Sequence, residues 1–363
     1  MTGDGQHDAA PPDRARGRGA RMPRERATSL DVAAAAGVSQ SAVSRVFTPG
    51  ASVSPQMADR VKKAAAALGY RPNVLARSLI TGRSRIIGLV VAYLDNQFYP
   101  LAMERLSRAL QEQGYHLLVF MASSDGPELD RVVEELLDYQ VDGIIAASVG
   151  ISDQLATRCE AAGIPVVLFN RGQDDARFSQ VTSDNVAGGR RVAEFLLAGG
   201  HARIAHVSGW AGSSTGRDRQ AGFLAGLAAA GRVAVAVVDG AYRRDTAADA
   251  ARRLCSGAGR PDAIFVGNDH MALAVLDVLR HELGLDVPGD VSVVGYDDVP
   301  AAAWAPYRLT TVRQSADAMV AETVRMLTGL IETPTRAAEK IATDAPLVVR
   351  RSARIPEGWH EGL

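Results

Sequence analysis

Apolar positions follow two different rhythms along this chain, and the change falls near residue 86. Between 28 and 85 they recur about every three to four residues, the spacing of helices that bury one stripe. Thr28 with Asp31 makes a capping-box-like start, with Asp in place of the usual Glu or Gln. The stretch 30–36 then predicts a short helix, stopped by Gly37. Gly37, Val38 and Ser39 form a tight turn into a second helix, 40–47. That helix sets Val43, Val46 and Phe47 on one face and Gln40, Ser41, Ser44 and Arg45 on the other. Thr48, Pro49 and Gly50 end it. A third helix, 55–68, turns Val61, Ala65 and Leu68 inward and Arg60, Lys62 and Lys63 outward, and Gly69 is its stop.

From residue 86 short apolar runs alternate with amphipathic stretches. The runs 86–91, 115–121, 143–147, 165–169, 204–208, 234–238, 263–266 and 292–296 read as strands. Helical stretches such as 101–113, 128–139, 186–198, 220–230 and 271–283 lie between them. This alternation predicts an α/β core of parallel sheets with helices on both faces. So many units exceed one modest open sheet, so the core is either a barrel or a pair of lobes. In open α/β sheets ligands sit beyond the carboxyl ends of the strands, and two facing lobes would line a cleft with those ends.

Composition narrows the class. With 47% apolar and 22% charged residues in 363, the chain has the makeup of a globular protein of two or three domains. Its two cysteines, Cys159 and Cys255, form no C-x-x-C pair, which excludes a disulfide framework or cysteine zinc site and fits a reducing cytosol. No run of about 18 apolar residues spans a membrane, and the N-terminus lacks the apolar segment of a signal peptide, so the expected location is the cytoplasm. Residues 1–26, rich in Gly, Pro, Asp and Arg, read as a disordered basic leader.

The net charge of -1 conceals an asymmetry: residues 1–85 carry 14 Lys/Arg against 6 Asp/Glu, and the remainder is acidic. A basic head on an acidic body points to a polyanionic partner. The helix–turn–helix supplies a way to meet one. An α-helix fits the DNA major groove with its first residues at the base edges. Gln40 and Ser41 can exchange hydrogen bonds there, Arg45 can grip a guanine or a phosphate, and Ser39 and Ser44 can hold the backbone.

The body carries polar residues at predicted strand ends: Asn170, Arg219 at the head of a helix, Asn268 with Asp269, and Asp297 with Asp298. Carboxylates, amides and a guanidinium converging there suit a polyhydroxylated or heterocyclic ligand. Phe98, Tyr99, Tyr242 and Trp304 offer rings to stack on it. Gly212 to Gly216 matches the hydrolase G-x-S-x-G, but Ser214 lies well past the strand end at 208 and His360 sits in a polar tail. Asp297 and Asp298, adjacent on one strand end, point apart and share no reaction centre. No phosphate-binding, dinucleotide or metal motif occurs, so no enzyme, cofactor or metal is expected.

These residues together resemble the LacI/GalR (lactose/galactose repressor) family of bacterial transcription regulators. The anchors are Asp31-Val-Ala, Ala36-Gly-Val-Ser39 and Val43-Ser-Arg45, then Leu68-Gly-Tyr-Arg-Pro-Asn73 and Ala76-Arg-Ser-Leu79. Further anchors are Asn96-Gln-Phe-Tyr99, Arg219-Gln-Ala-Gly-Phe223, Asn268-Asp269 and Val291 to Asp298. The resemblance implies a DNA-binding domain at 27–72, a hinge helix and linker at 73–85, a two-lobed core like a periplasmic sugar-binding protein at 86–352, and a tail at 353–363. It implies a homodimer on a palindromic double-stranded operator, with no membrane partner. DNA contacts would fall at Ser39, Gln40, Ser41, Ser44 and Arg45 and at Ala76, Arg77 and Leu79 of the hinge, Leu79 wedging into the minor groove. Effector contacts would fall at Phe98, Tyr99, Asn170, Arg219, Tyr242, Asn268, Asp269 and Asp297. Ala42 stands where a Thr is common, and Asn170 where several members have Asp. The short polar tail lacks a heptad repeat, which favours a dimer over a tetramer. A sugar is the expected effector. A nucleobase or a co-repressor is the alternative within the class, and a sugar-transport protein the alternative outside it.

Overall fold

The computed structural model describes residues 27–48, 50–71, 83–122 and 127–361. Residues 1–26, expected to form a leader, and Ala76, Arg77 and Leu79, expected in a hinge, lie outside them. The chain divides into two compact units, Met1–Ile80 and Thr81–Leu363.

The first unit is helical. Helices α1 (Ser29–Ala36), α2 (Gln40–Val46) and α3 (Pro55–Leu68) follow the expected order. The capping box forms: Thr28 N donates to Asp31 Oδ2 at 2.7 Å and Asp31 N to Thr28 Oγ1 at 3.3 Å. Gly37, at φ 61°, takes the left-handed conformation that ends α1, and Ser39 caps α2 through Ala42 N. Val32, Ala33, Ala36, Val43, Val61 and Ala65 form the core. Leu68, expected inward, lies in line with Val61 and Ala65 but is 41% exposed as the last residue of α3.

The second unit contains two six-stranded sheets with the same winding. Lobe 1 holds β1 (Ile86–Val91), β2 (His116–Met121), β3 (Gly143–Ala147), β4 (Val166–Phe169), β5 (Ser179–Ser183) and β11 (Lys340–Thr343), in the order β11-β5-β4-β3-β1-β2. Lobe 2 holds β6 (Ile204–Ser208), β7 (Ala236–Asp239), β8 (Ala263–Val266), β9 (Ser292–Asp297), β10 (Thr310–Arg313) and β12 (Leu347–Val348), in the order β12-β10-β9-β8-β6-β7. All pairings are parallel except β10 with β12. Helices α4 (Phe98–Glu112), α5 (Pro127–Asp138), α6 (Asp153–Ala161) and α11 (Ala316–Glu332) belong to lobe 1. Helices α7 (Asn185–Ala198), α8 (Ser214–Ala229), α9 (Arg244–Cys255) and α10 (Asp269–Asp277) belong to lobe 2. The pair of lobes is realised and the barrel is not. The chain changes lobe after β5, after β10 and after β11.

The strand order doubles back between β1 and β3 in lobe 1 and between β6 and β8 in lobe 2. Ligand crevices in doubly wound sheets open at that reversal. Ser84, placed in the linker by the sequence, is already tied to the core by its N–H and hydroxyl on Asp142 Oδ1, at 2.8 and 2.9 Å. In the tail, Ala353 is buried and Trp359 packs edge-on against Phe195 at 5.1 Å.

Lobe 2 encloses a histidine that makes its stability depend on pH. His206 is fully buried, stacked on Phe265 at 4.6 Å, and its Nδ1 lies 3.0 Å from the Phe265 carbonyl oxygen. Burial pushes its imidazole down to about 4. The unfolded chain titrates near 6.5, so between these values only the unfolded state takes the proton. Stability is therefore full above about pH 6.5 and falls as pH drops toward 4. From this group alone, urea unfolding should show a loss of about 2 kcal/mol between pH 7.5 and 5. His206→Phe should flatten that slope, and an equally steep profile in the variant would contradict the assignment.

Candidate functional site

In the helical unit, α2 divides by exposure. Ala42 and Val43 are buried, whereas Ser39, Gln40, Ser41, Ser44 and Arg45 are all exposed. Ser39 Oγ and Ser41 Oγ are 2.9 Å apart, and Gln40 Nε2 donates to Ser29 Oγ at 2.9 Å. Arg45 Nε reaches the Ser41 carbonyl oxygen only at 3.5 Å, which leaves the guanidinium at the surface. These polar groups share one face of a short capped helix, an arrangement that suits side chains to base edges.

In the core unit, strand ends meet across a cleft. The tip of β9 bears Asp297, whose φ of 126° is strained for a residue with a side chain. Ser148, Asn170, Tyr242 and Asp298 also hold positive φ, at 59°, 67°, 57° and 56°. Such strain gathers where a fold must aim side chains at a ligand. Asp297 Oδ1 accepts from Gln314 Nε2 at 2.7 Å and lies 3.4 Å from Arg219 Nη1, while its Oδ2 accepts from Asn96 Nδ2 of lobe 1 at 3.0 Å. Arg219 also donates to Asn185 Oδ1 at 2.9 Å and the Gly267 carbonyl at 2.7 Å, and it lies over the Tyr296 ring at 3.7 Å. Close contact of α7 with α8 plants it there: a Cβ on Gly189 would stand 2.2 Å from the Arg219 carbonyl oxygen.

Burial pushes the Asp297 carboxyl upward, against the pull of Arg219, Asn96 and Gln314. Burial also opposes the charge on Arg219, but Asp297 and the surrounding tyrosines outweigh it and hold the guanidinium protonated. On lobe 1, Asn170 Nδ2 donates to Tyr99 OH at 2.8 Å, and Tyr99 OH is bonded to Ser148 Oγ. Tyr93 meets Tyr99 edge-on at 5.3 Å, and Tyr242 OH from lobe 2 lies 3.1 Å from Thr215 Oγ1. Burial raises the pKa of Tyr93 and Tyr99, so both hydroxyls stay protonated and can donate. Among the described residues, the buried acceptors Asn170 Oδ1 and Gln314 Oε1 have no hydrogen-bond partner.

The structure brings Tyr99, Asn170, Arg219, Tyr242 and Asp297 together and places the other expected effector residues differently. Phe98 is 2% exposed and stacks on Phe169 at 6.2 Å, so the first turn of α4 uses it as core. Asp269 is wholly buried, with Oδ1 accepting from Thr311 Oγ1 at 2.6 Å and Oδ2 from Val299 N at 3.0 Å. It ties β10 and the loop after β9 to α10. Asn268 spends its Oδ1 capping α10 through Met271 N, at 3.0 Å. Trp304 is 54% exposed on the surface. Asp298 turns away from Asp297 as expected and pairs with Arg313 and Arg350, both at 2.7 Å. Ser214 of the G-x-S-x-G accepts from Gly172 N at 3.1 Å.

Sequence reasoning missed Tyr93, Asn96, Ser148 and Gln314. The first three follow β1 and β3, the strands flanking the reversal of lobe 1, and strand order alone would have singled them out. Among the described residues no helix is long and apolar enough to cross a membrane, and no cluster of His, Cys, Asp and Glu could hold a metal ion.

Comparison with known proteins agrees with this layout. Residues 28–73 match the family described as bacterial regulatory proteins, lacI family, and residues 193–353 match a periplasmic binding protein-like domain. The transcriptional regulator CelR of Thermobifida fusca is 36% identical over 341 residues, covering 91% of this chain and 100% of CelR. The ribose operon repressor of Escherichia coli K12 is 31% identical over 332 residues, 90% of this chain and 100% of the repressor. Among solved structures, the CelR–cellobiose complex superposes with a TM-score of 0.68 at 34% identity, over 90% of this chain and 100% of that one. The lac repressor dimer bound to operator superposes with a TM-score of 0.82 at 28% identity, over 90% and 99%. These relatives are transcription regulators and not enzymes. With an exposed polar helix face in one unit, a strained polar cleft in the other and relatives covered over their whole length, this chain belongs to the LacI family of DNA-binding transcription regulators.

Proposed function

We propose that this protein is a cytoplasmic homodimeric repressor whose hold on a palindromic operator is controlled by an uncharged sugar in the interlobe cleft. The observation that carries the sugar reading is the pair of unpartnered buried acceptors, Asn170 Oδ1 and Gln314 Oε1, beside protonated tyrosines. Buried acceptors without donors are costly, and a ligand rich in hydroxyls satisfies them. The guanidinium beside Asp297, Arg219, has that carboxyl as a partner at 3.4 Å, which argues against an anionic effector. Tyr93, Tyr99 and Tyr242 supply rings for the apolar faces of a sugar. The solved CelR complex holds cellobiose, and the lac repressor structure is a dimer on operator, in keeping with this assignment.

The test is a thermal-shift panel of neutral mono- and disaccharides, sugar phosphates, sugar acids and purines. A neutral sugar should raise the melting temperature by a few degrees at saturating concentration. Stabilisation by a purine or a phosphorylated sugar alone would overturn the reading.

A further inference from the structure

Arg171 follows Asn170 at the end of β4, is 9% exposed, and is bonded to both lobes at once. Its Nη1 donates to the Ser148 carbonyl oxygen of its own lobe at 3.1 Å, and its Nη2 donates to the Gly212 carbonyl oxygen of lobe 2 at 3.2 Å. Its guanidinium lies 4.9 Å from the centroid of the Trp210 ring, also of lobe 2. The neighbouring Gly172 N donates to Ser214 Oγ at 3.1 Å, so two consecutive residues of lobe 1 grip the loop before α8 and the first residue of that helix. That loop is a fixed receptor. The Trp210 carbonyl accepts from Ser213 N and Oγ, at 3.0 and 2.9 Å, and a Cβ on Gly212 would stand 2.3 Å from the indole, so glycine alone leaves room for the ring.

We propose that Arg171 is a positioning residue that latches the two lobes together and so sets effector affinity through closure, without contacting the effector. Opening the cleft keeps the bond to Ser148 but must break those to Gly212 and Trp210, so their free energy exists only in the closed state. Other interlobe contacts lie elsewhere, among them Gln97 Oε1, which accepts from Ala301 N at 3.1 Å, and the Ser183 and Tyr296 hydroxyls, 3.4 Å apart. Asn96 with Asp297 is in the cleft itself, where a ligand competes for it. Asp95 with His270 at 3.3 Å involves a carboxylate 66% exposed, and such pairs contribute little. A shielded guanidinium over an indole, with a hydrogen bond to a carbonyl, contributes more. Weakening the latch lowers the fraction of closed protein, and the apparent affinity of every ligand that needs closure falls by that same factor.

Distance measurement between spin labels tests the latch in the full chain and without any effector, so it stands apart from the sugar reading. Labels go on Asp138→Cys of lobe 1 and Val233→Cys of lobe 2, both exposed positions. The native Cys159 and Cys255 are buried, and burial pushes their thiols up to about 11, so they label slowly. Labelled chains are diluted into unlabelled ones, so that each assembly carries one labelled pair. The unaltered latch should give one short-distance population. Arg171→Ala should add a longer one, lowering the closed-to-open ratio about tenfold. Trp210→Leu should act in the same direction and decides the matter if Arg171→Ala does not fold. Arg171→Lys, able to reach one carbonyl but not to bridge both, should fall between. Identical distance distributions with and without the latch, or a long-distance majority in the unaltered protein, overturn the proposal.

Discussion

Arg45→Ala should weaken binding to the specific operator by about 1–3 kcal/mol while leaving sugar affinity and thermal stability unchanged. The side chain is exposed on the polar face of α2 and held only by a 3.5 Å contact to the Ser41 carbonyl, so the folded protein loses little without it. Its guanidinium can pair with guanine O6 and N7 in the major groove, and alanine leaves those acceptors without a partner. Gln40 and Ser41 share the face and retain part of the specificity. Fluorescence anisotropy with an operator duplex selected from genomic fragments, against a scrambled duplex, measures the effect. Operator affinity equal to that of the unaltered protein would remove Arg45 from the base-reading set.

The second large effect lies in the cleft. Asp297→Asn should abolish the sugar response while operator binding persists, leaving a repressor that no sugar releases. Asp297 accepts from Asn96 and Gln314 and faces Arg219, all in a buried site, and the amide leaves the guanidinium without its counter-charge. Disrupting a buried hydrogen-bonded charge pair costs about 2–5 kcal/mol, a loss of affinity of thirtyfold or more. Arg219→Ala should show the same loss together with a stability penalty of about 3–5 kcal/mol, because it leaves Asp297 as an uncompensated buried charge. Calorimetric titration of the responsive sugar separates the two outcomes. An Asp297→Asn protein that binds the sugar normally would place the effector elsewhere.

What the sequence revealed, and what it hid, follows from burial. Strands β1, β3, β4, β6, β8 and β9 are buried nearly throughout and read as mainly apolar runs, so the residues at their ends, Asn170 and Asp297 among them, could be located. Strands β5 (SQVTS) and β10 (TTVR) carry polar residues inside their sheets, where neighbouring strands and not hydrophobicity define them. Gln314, which follows β10, was hidden with its strand. Tyr93, Asn96 and Ser148 were hidden for another reason: their importance depends on strand order, which pairing sets and periodicity does not. The contacts of Asp269 were hidden because its neighbour Asn268 caps α10, and the first helical turn then swings the carboxylate inward to Thr311 and Val299 N. In the helical unit local rules sufficed, since the capping box, Gly37 and the Ser39 cap are encoded within a few residues of one another.

A sugar-released repressor requires that the cleft ligand and the operator be energetically coupled. Coupling is reciprocal: if the sugar weakens operator binding by some factor, the operator weakens sugar binding by the same factor. The most direct measurement is therefore calorimetric titration of the responsive sugar into the free protein and into the protein saturated with operator duplex. A lower sugar affinity on operator, by about 5- to 150-fold and matching the factor by which the sugar weakens operator binding, is the predicted result. Equal sugar affinities in the two states would contradict the account, whatever the separate affinities for sugar and DNA.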